Sequence, residues 1–76
     1  MKNKENIRNI KIDGSDFKVP HNVSGAYLMA CVGKDANYVL YRESDGDIED
    51  QLISVDRIIS VENGDRFYCS IKAYFA

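Results

Sequence analysis

Cysteine, histidine, proline and tryptophan are scarce in this 76-residue chain, which has two, one, one and none of them. Cys31, Cys69 and His21 stand far apart in sequence, in no CxxC or HxxxH spacing, so a structural zinc site is not expected. Both cysteines lie among apolar residues and read as buried free thiols, which suits a reducing compartment. Long apolar runs are missing as well: the longest, Ala26 to Val32, is too short to cross a bilayer. The opening Met1-Lys2-Asn3-Lys4-Glu5-Asn6 is charged and no apolar run follows it, so no secretory leader and a cytoplasmic location are expected. Excess positive charge is also absent. The chain carries 10 Lys and Arg against 12 Asp and Glu, net −2 and interspersed, which argues against the concentrated basic face that nucleic acid requires.

No linker, repeat or low-complexity tract divides the chain, so it reads as one domain with a polar lead-in over residues 1–6. A chain of this size buries roughly 60 % of the surface its unfolded form exposes, which leaves its stability marginal. In "IRNIKIDGSDFKVP" the apolar residues Ile10, Ile12, Phe17 and Val19 alternate with polar ones around Asp13-Gly14, a strong hairpin signal. Two registers keep the apolar set on one face. A two-residue loop sets Ile10 opposite Phe17. A four-residue loop sets Ile12 opposite Phe17 and Ile10 opposite Val19, and this second register is the expected one because it pairs both apolar couples directly.

Pro20 offers no N–H to a ladder and ends the second strand, after which His21 and Asn22 turn the chain. "SGAYLMACVG" then reads as a short helix. Ser24 is its N-cap, Gly33 its terminating residue, and Leu28, Cys31 and Val32 form an apolar stripe with Tyr27 beside it. Gly25 in the first turn weakens this helix by roughly 0.5–1 kcal/mol relative to Ala. "NYVLYRE" is β-rich and reads as a third strand, "SDGDIEDQ" as an acidic loop and "LISV" as a brief strand. Asp56 is expected to cap a single helical turn over Arg57-Ile58-Ile59. "ENGD" supplies a turn, and "RFYCSIKAYF" a last strand with Phe67, Cys69, Ile71 and Ala73 on one side and Tyr68, Ser70 and Lys72 on the other.

One helix cannot bury its stripe alone, so it must lie on one face of a mixed sheet. A hairpin first, a helix across the sheet and a last strand beside the first make the expected class α+β, in the β-grasp arrangement over residues 7–73, with 74–76 as a tail. The chain resembles ubiquitin and its relatives in length and element order. Its wording is similar to the bacterial multiubiquitin-type domains in four pieces: Ile12-Asp13-Gly14, Ser24-Gly25, Tyr38-Val39-Leu40-Tyr41-Arg42 and Gly64-Asp65-Arg66-Phe67. Together they cover roughly residues 8 to 73.

That resemblance implies a small modifier, a substrate and not an enzyme. Its companions would be an activating enzyme, a conjugating enzyme, a metal-dependent isopeptidase and a target protein, in some systems for defence against phage. The modifier itself would need no cofactor, ATP being used by the activating enzyme on its C-terminal carboxylate. Here that carboxylate belongs to Ala76, preceded by Tyr74 and Phe75 where the family has glycines. Three alternatives stand open. The mature end differs from Ala76; or Ala76 is the conjugation terminus and Tyr74 and Phe75 anchor it in partner pockets; or the tail continues the last strand and the domain is a non-conjugated interaction module.

Elsewhere no catalytic constellation is visible. "SDGDIEDQ" lacks the residue order of a calcium loop and reads as solvated, His21 has no nucleophile or carboxylate partner suggested by sequence, and neither cysteine has the electropositive surroundings of a reactive thiolate. If Tyr38 and Leu40 face the core, Val39 and Tyr41 face outward, and Tyr68 and Ser70 join them from the last strand. These four form the expected partner-binding patch on the open face of the sheet, although exposed strands favour tyrosine in any case.

Overall fold

A computed structural model describes residues 6–72. These residues form seven strands and one helix: β1 (Ile7–Ile12), β2 (Ser15–Pro20), β3 (Asn22–Ser24), α1 (Gly25–Cys31), β4 (Tyr38–Arg42), β5 (Gln51–Ile53), β6 (Ile58–Ser60) and β7 (Arg66–Ile71). Five of them build a mixed sheet in the order β2-β1-β7-β4-β5, while β3 and β6 pair separately. All pairings in the larger sheet are antiparallel except β1 with β7, which run parallel through Lys11–Arg66 and Ile12–Phe67.

The hairpin takes the two-residue loop and not the four-residue one. Ile10 stands opposite Phe17 and Ile12 opposite Ser15. The turn decides this. Asp13 (φ 52°) and Gly14 (φ 84°) both adopt left-handed conformations, which suit a two-residue turn whose twist matches the flanking strands. The turn is also pinned to β7, because Asp13 N–H donates to the Phe67 carbonyl and the Asp13 carboxylate accepts the Cys69 N–H at 2.9 Å. Hydrophobic pattern alone did not separate the two registers, since both put the same residues on the core face.

The helix begins and ends where its caps dictate. Ser24 Oγ accepts the Tyr27 N–H, and at the other end Gly33 (φ 68°) closes the last turn. There Lys34 N–H donates to the Met29 carbonyl and Gly33 N–H to that of Ala30. Leu28 is fully buried, whereas Cys31 and Val32 lie at the margin of the core and Tyr27 is exposed; Met29, not part of the expected stripe, is buried. Gly25 has a role beyond its helix propensity. A Cβ there would meet the Ser54 carbonyl oxygen at 2.4 Å, so only glycine lets the helix start dock on the 54–57 turn. Gly25 and Ala26 donate their N–H groups to the carbonyls of Arg57 and Val55.

Arg57-Ile58-Ile59 does not form a helical turn. Ile58–Ser60 is strand β6, paired with Asn22–Ser24, so residue 22 also belongs to a strand. Val23 and Ile59 face each other and are both buried, and that burial outweighs the local capping signal of Asp56. His21 bridges the two parts of the fold. Its N–H donates to Asn6, its carbonyl accepts from Val61, and its ring Nδ1 lies 2.9 Å from the Val61 carbonyl.

The core lies between α1 and one face of the sheet, where Ile10, Ile12, Leu28, Leu40 and Phe67 are almost wholly buried. Arg42 closes one end of it. Its guanidinium sits 5.3 Å from the Phe67 ring centre, donates to the Ser60 carbonyl and approaches Asp65 at 3.5 Å. Burial fades along β7, from Phe67 through Cys69 to Ile71, which is 64 % exposed. Cys31 and Cys69 are free and half-buried instead of buried, and burial pushes both thiols up, away from the reactive thiolate. No helix among the described residues is long and apolar enough to cross a membrane.

Candidate partner-binding face

The face of the sheet opposite α1 carries the side chains that alternate with the core residues. Strand register brings the expected patch together. Val39 stands opposite Ser70, and Tyr41 opposite Tyr68, across the β4–β7 pair. The two tyrosine rings stack with their centres 5.3 Å apart and their planes 20° from parallel. Their strand neighbours Leu40 and Cys69 point the other way, Leu40 into the core.

Two residues outside the expected patch complete it. Leu52 pairs with Tyr41 from β5 and is 59 % exposed, so it continues the apolar surface to the sheet edge. The sequence showed a short strand there but not which of two adjacent aliphatic residues faces inward; burial of Ile53 turns Leu52 outward. Asp50 is the second. Its carboxylate accepts the Tyr68 hydroxyl at 2.6 Å and the Ser44 N–H at 2.9 Å, fastening the acidic loop to the tyrosine stack. Tyr68 donating to an anion keeps its proton, and its pKa is pushed up to about 12. The same bond, with the Ser44 N–H, holds the Asp50 carboxyl below its ordinary value. Nothing in the sequence pattern gives this contact, since it joins residues 18 positions apart across two loops and strands.

A charged row bounds the patch on one side. Lys11 pairs with Asp16 at 2.6 Å, and Arg66 with Glu43 at 2.9 Å. The Glu43 carboxylate raises the Arg66 pKa, and both pairs are too exposed to add much stability. On the other side Val39 and Leu52 continue into an open groove of about 340 Å³, which Ala36, Tyr38, Val55 and Lys72 also line.

No three side chains among the described residues are gathered as metal ligands, the acidic loop included. The residues expected to act at the chain end, Tyr74, Phe75 and Ala76, lie outside the described residues. Their approach is defined as far as Lys72, whose N–H donates to the Asn37 carbonyl at 2.8 Å, so that β7 runs out from the middle of the sheet beside the groove. No family model matches the chain, and neither the curated proteins nor the solved structures contain a significant match to it.

Proposed function

We propose that this chain is a β-grasp, ubiquitin-like protein that acts as a modifier, joined to a target through the chain end that follows β7. The sheet order carries this reading: an opening hairpin, a helix across one face, and a last strand lying parallel to the first at the centre of the sheet. In this reading the carboxylate that ends the chain after β7 is the reactive group. An activating enzyme would join it to the AMP moiety of ATP with release of pyrophosphate. A side-chain nucleophile of the partner would then displace AMP, and a nucleophile of the target would displace the partner. The mature chain end, Ala76 in this sequence, is the donor, with Tyr74 and Phe75 as the side chains the enzyme channel must accommodate. Companions in this reading are the activating and conjugating enzymes, a metal-dependent isopeptidase and the target, in a system of the anti-phage type.

A second reading is a non-conjugated interaction module. The stacked pair of Tyr41 and Tyr68 with Leu52 and Val39 favours it, because such a face serves binding without chemistry at the chain end. One experiment separates the two. The protein is mixed with the activating and conjugating enzymes encoded beside it and with ATP, and intact mass is recorded. The modifier reading expects an adduct lighter by one water than the sum of its parts. If none forms, and removal of Tyr74-Phe75-Ala76 leaves partner binding unchanged, the interaction module stands in its place.

A further inference from the structure

The open face is bordered by acidic groups, some of them unpaired among the described residues. Residues 43–50, "ESDGDIED", hold five acidic side chains and no Lys or Arg, against a whole-chain balance of 12 to 10. Glu43 and Asp50 are engaged by Arg66 and Tyr68. Asp47 and Glu49 make no ion pair or side-chain hydrogen bond among the described residues, and Ile48 between them is 70 % exposed. Asp50 ties this loop directly to the Tyr41–Tyr68 stack. Asp13 at the hairpin tip is spent on β7, its N–H on the Phe67 carbonyl and its carboxylate on the Cys69 N–H. On the adjoining strands Lys11 and Arg66 are already paired with Asp16 and Glu43, while Lys18, farther out on the hairpin, donates to the Asn9 side chain.

We infer that the Tyr41–Tyr68–Leu52 face docks a basic protein segment, one that lays an aliphatic side chain on the tyrosines and Leu52 and directs arginines at Asp45, Asp47 and Glu49. This rests on the reading of the open face as partner-facing and adds the chemistry of the partner. Three features select that occupant. The tyrosine stack with Leu52 offers an apolar centre, and an aliphatic or arginine side chain gains from an aromatic face. The acidic rim repels an acidic partner and draws a cationic one, acting on approach as well as in the complex. Among the described residues the groove lining holds Lys72 and no carboxylate, with Asp56 held by the Ser54 hydroxyl, so the acidic loop sets the direction in which the segment lies.

The test uses the full chain, labelled for NMR, and a synthetic helical peptide with leucines along one face and arginines flanking them. Matched peptides replace every arginine by glutamate or by neutral citrulline. The arginine peptide is expected to shift the amides of Val39, Tyr41, Leu52, Tyr68 and Ser70, with an affinity that falls as salt is raised. The glutamate peptide should bind at least ~10-fold more weakly, and the triple variant Asp45→Asn, Asp47→Asn, Glu49→Gln should weaken the arginine peptide roughly 3- to 10-fold. These loop positions are exposed, so the variant keeps its fold, which its own spectrum checks. Equal binding of the glutamate peptide, or shifts confined to another face, overturns the inference. Adduct formation with the companion enzymes is read separately. An adduct without salt-sensitive docking removes this inference and leaves the modifier standing, whereas docking without an adduct supports it while the modifier fails.

Discussion

Tyr68 stacks on Tyr41 and donates its hydroxyl to Asp50, so one side chain joins two strands and fastens the acidic loop to the sheet. The two ends of this bond titrate at opposite extremes of pH. The bond to Asp50 pushes the Tyr68 pKa up to about 12, above the ordinary tyrosine value, so its contribution is expected to be whole below the ordinary value and to fade as pH rises through the raised one. Asp50 is depressed, so its contribution is whole above the ordinary carboxylate value and fades as pH falls through the lowered one. Ultraviolet titration of the tyrosines should show one late ionisation near 12 that moves down in Asp50→Asn. Loss of the late step in Tyr68→Phe, together with faster hydrogen exchange at the Ser44 amide, would confirm the assignment. A late step that survives Tyr68→Phe would refute it.

Helix propensity predicts that Gly25→Ala stabilises the protein, and the tertiary contact predicts the reverse. The new Cβ would lie 2.4 Å from the Ser54 carbonyl oxygen and 3.0 Å from Val55 Cα, both backbone atoms that cannot turn aside. Overpacking of this kind costs about 1–3 kcal/mol, more than the roughly 0.5–1 kcal/mol gained from propensity. Urea denaturation should place the midpoint of Gly25→Ala below that of the parent, and a higher midpoint would show that the helix start can move away from the 54–57 turn.

The hairpin turn makes a graded prediction. Asp13→Asn keeps tolerance of positive φ and an oxygen for the Cys69 N–H, and should change stability little. Asp13→Ala loses both and should cost about 1–3 kcal/mol. Parallel chemical denaturation of the two variants checks this. Equal losses would mean that the carboxylate charge, and not the turn geometry, matters.

Leu28→Ala removes the helix residue most deeply set in the core. Such truncations cost about 2–5 kcal/mol, which in a small domain approaches the whole stability. The variant should be largely unfolded at 37 °C by circular dichroism, while Tyr27→Ala, on the exposed side of the same helix, should melt close to the parent.

Local chemistry in this chain was legible where a residue's own conformation governs the outcome. Asp13-Gly14 announces a turn, Ser24 and Gly33 announce the helix ends, and the alternation around Leu40 and Phe67 sorts core from surface. The same parity put Val39, Tyr41, Tyr68 and Ser70 on one face. Ile58 and Ile59 read as helical from the sequence and form a strand in the structure, because a short apolar segment beside Asp56 has no periodicity long enough to distinguish turn from strand. Only the pairing with Val23 resolves it.

By itself, then, the sequence determined the opening hairpin, the helix with its caps, and the inward or outward parity of β4 and β7, because these follow from backbone conformation and side-chain period over a few residues, whereas β3 and β6 exist only through their mutual pairing. Tertiary structure alone decided the hairpin register, the need for glycine at 25, and the bond that carries Asp50 to Tyr68. Each depends on the approach of backbone or side-chain atoms from segments far apart in the chain, and such distances are set by how the whole sheet and helix pack, not by the identity of near neighbours.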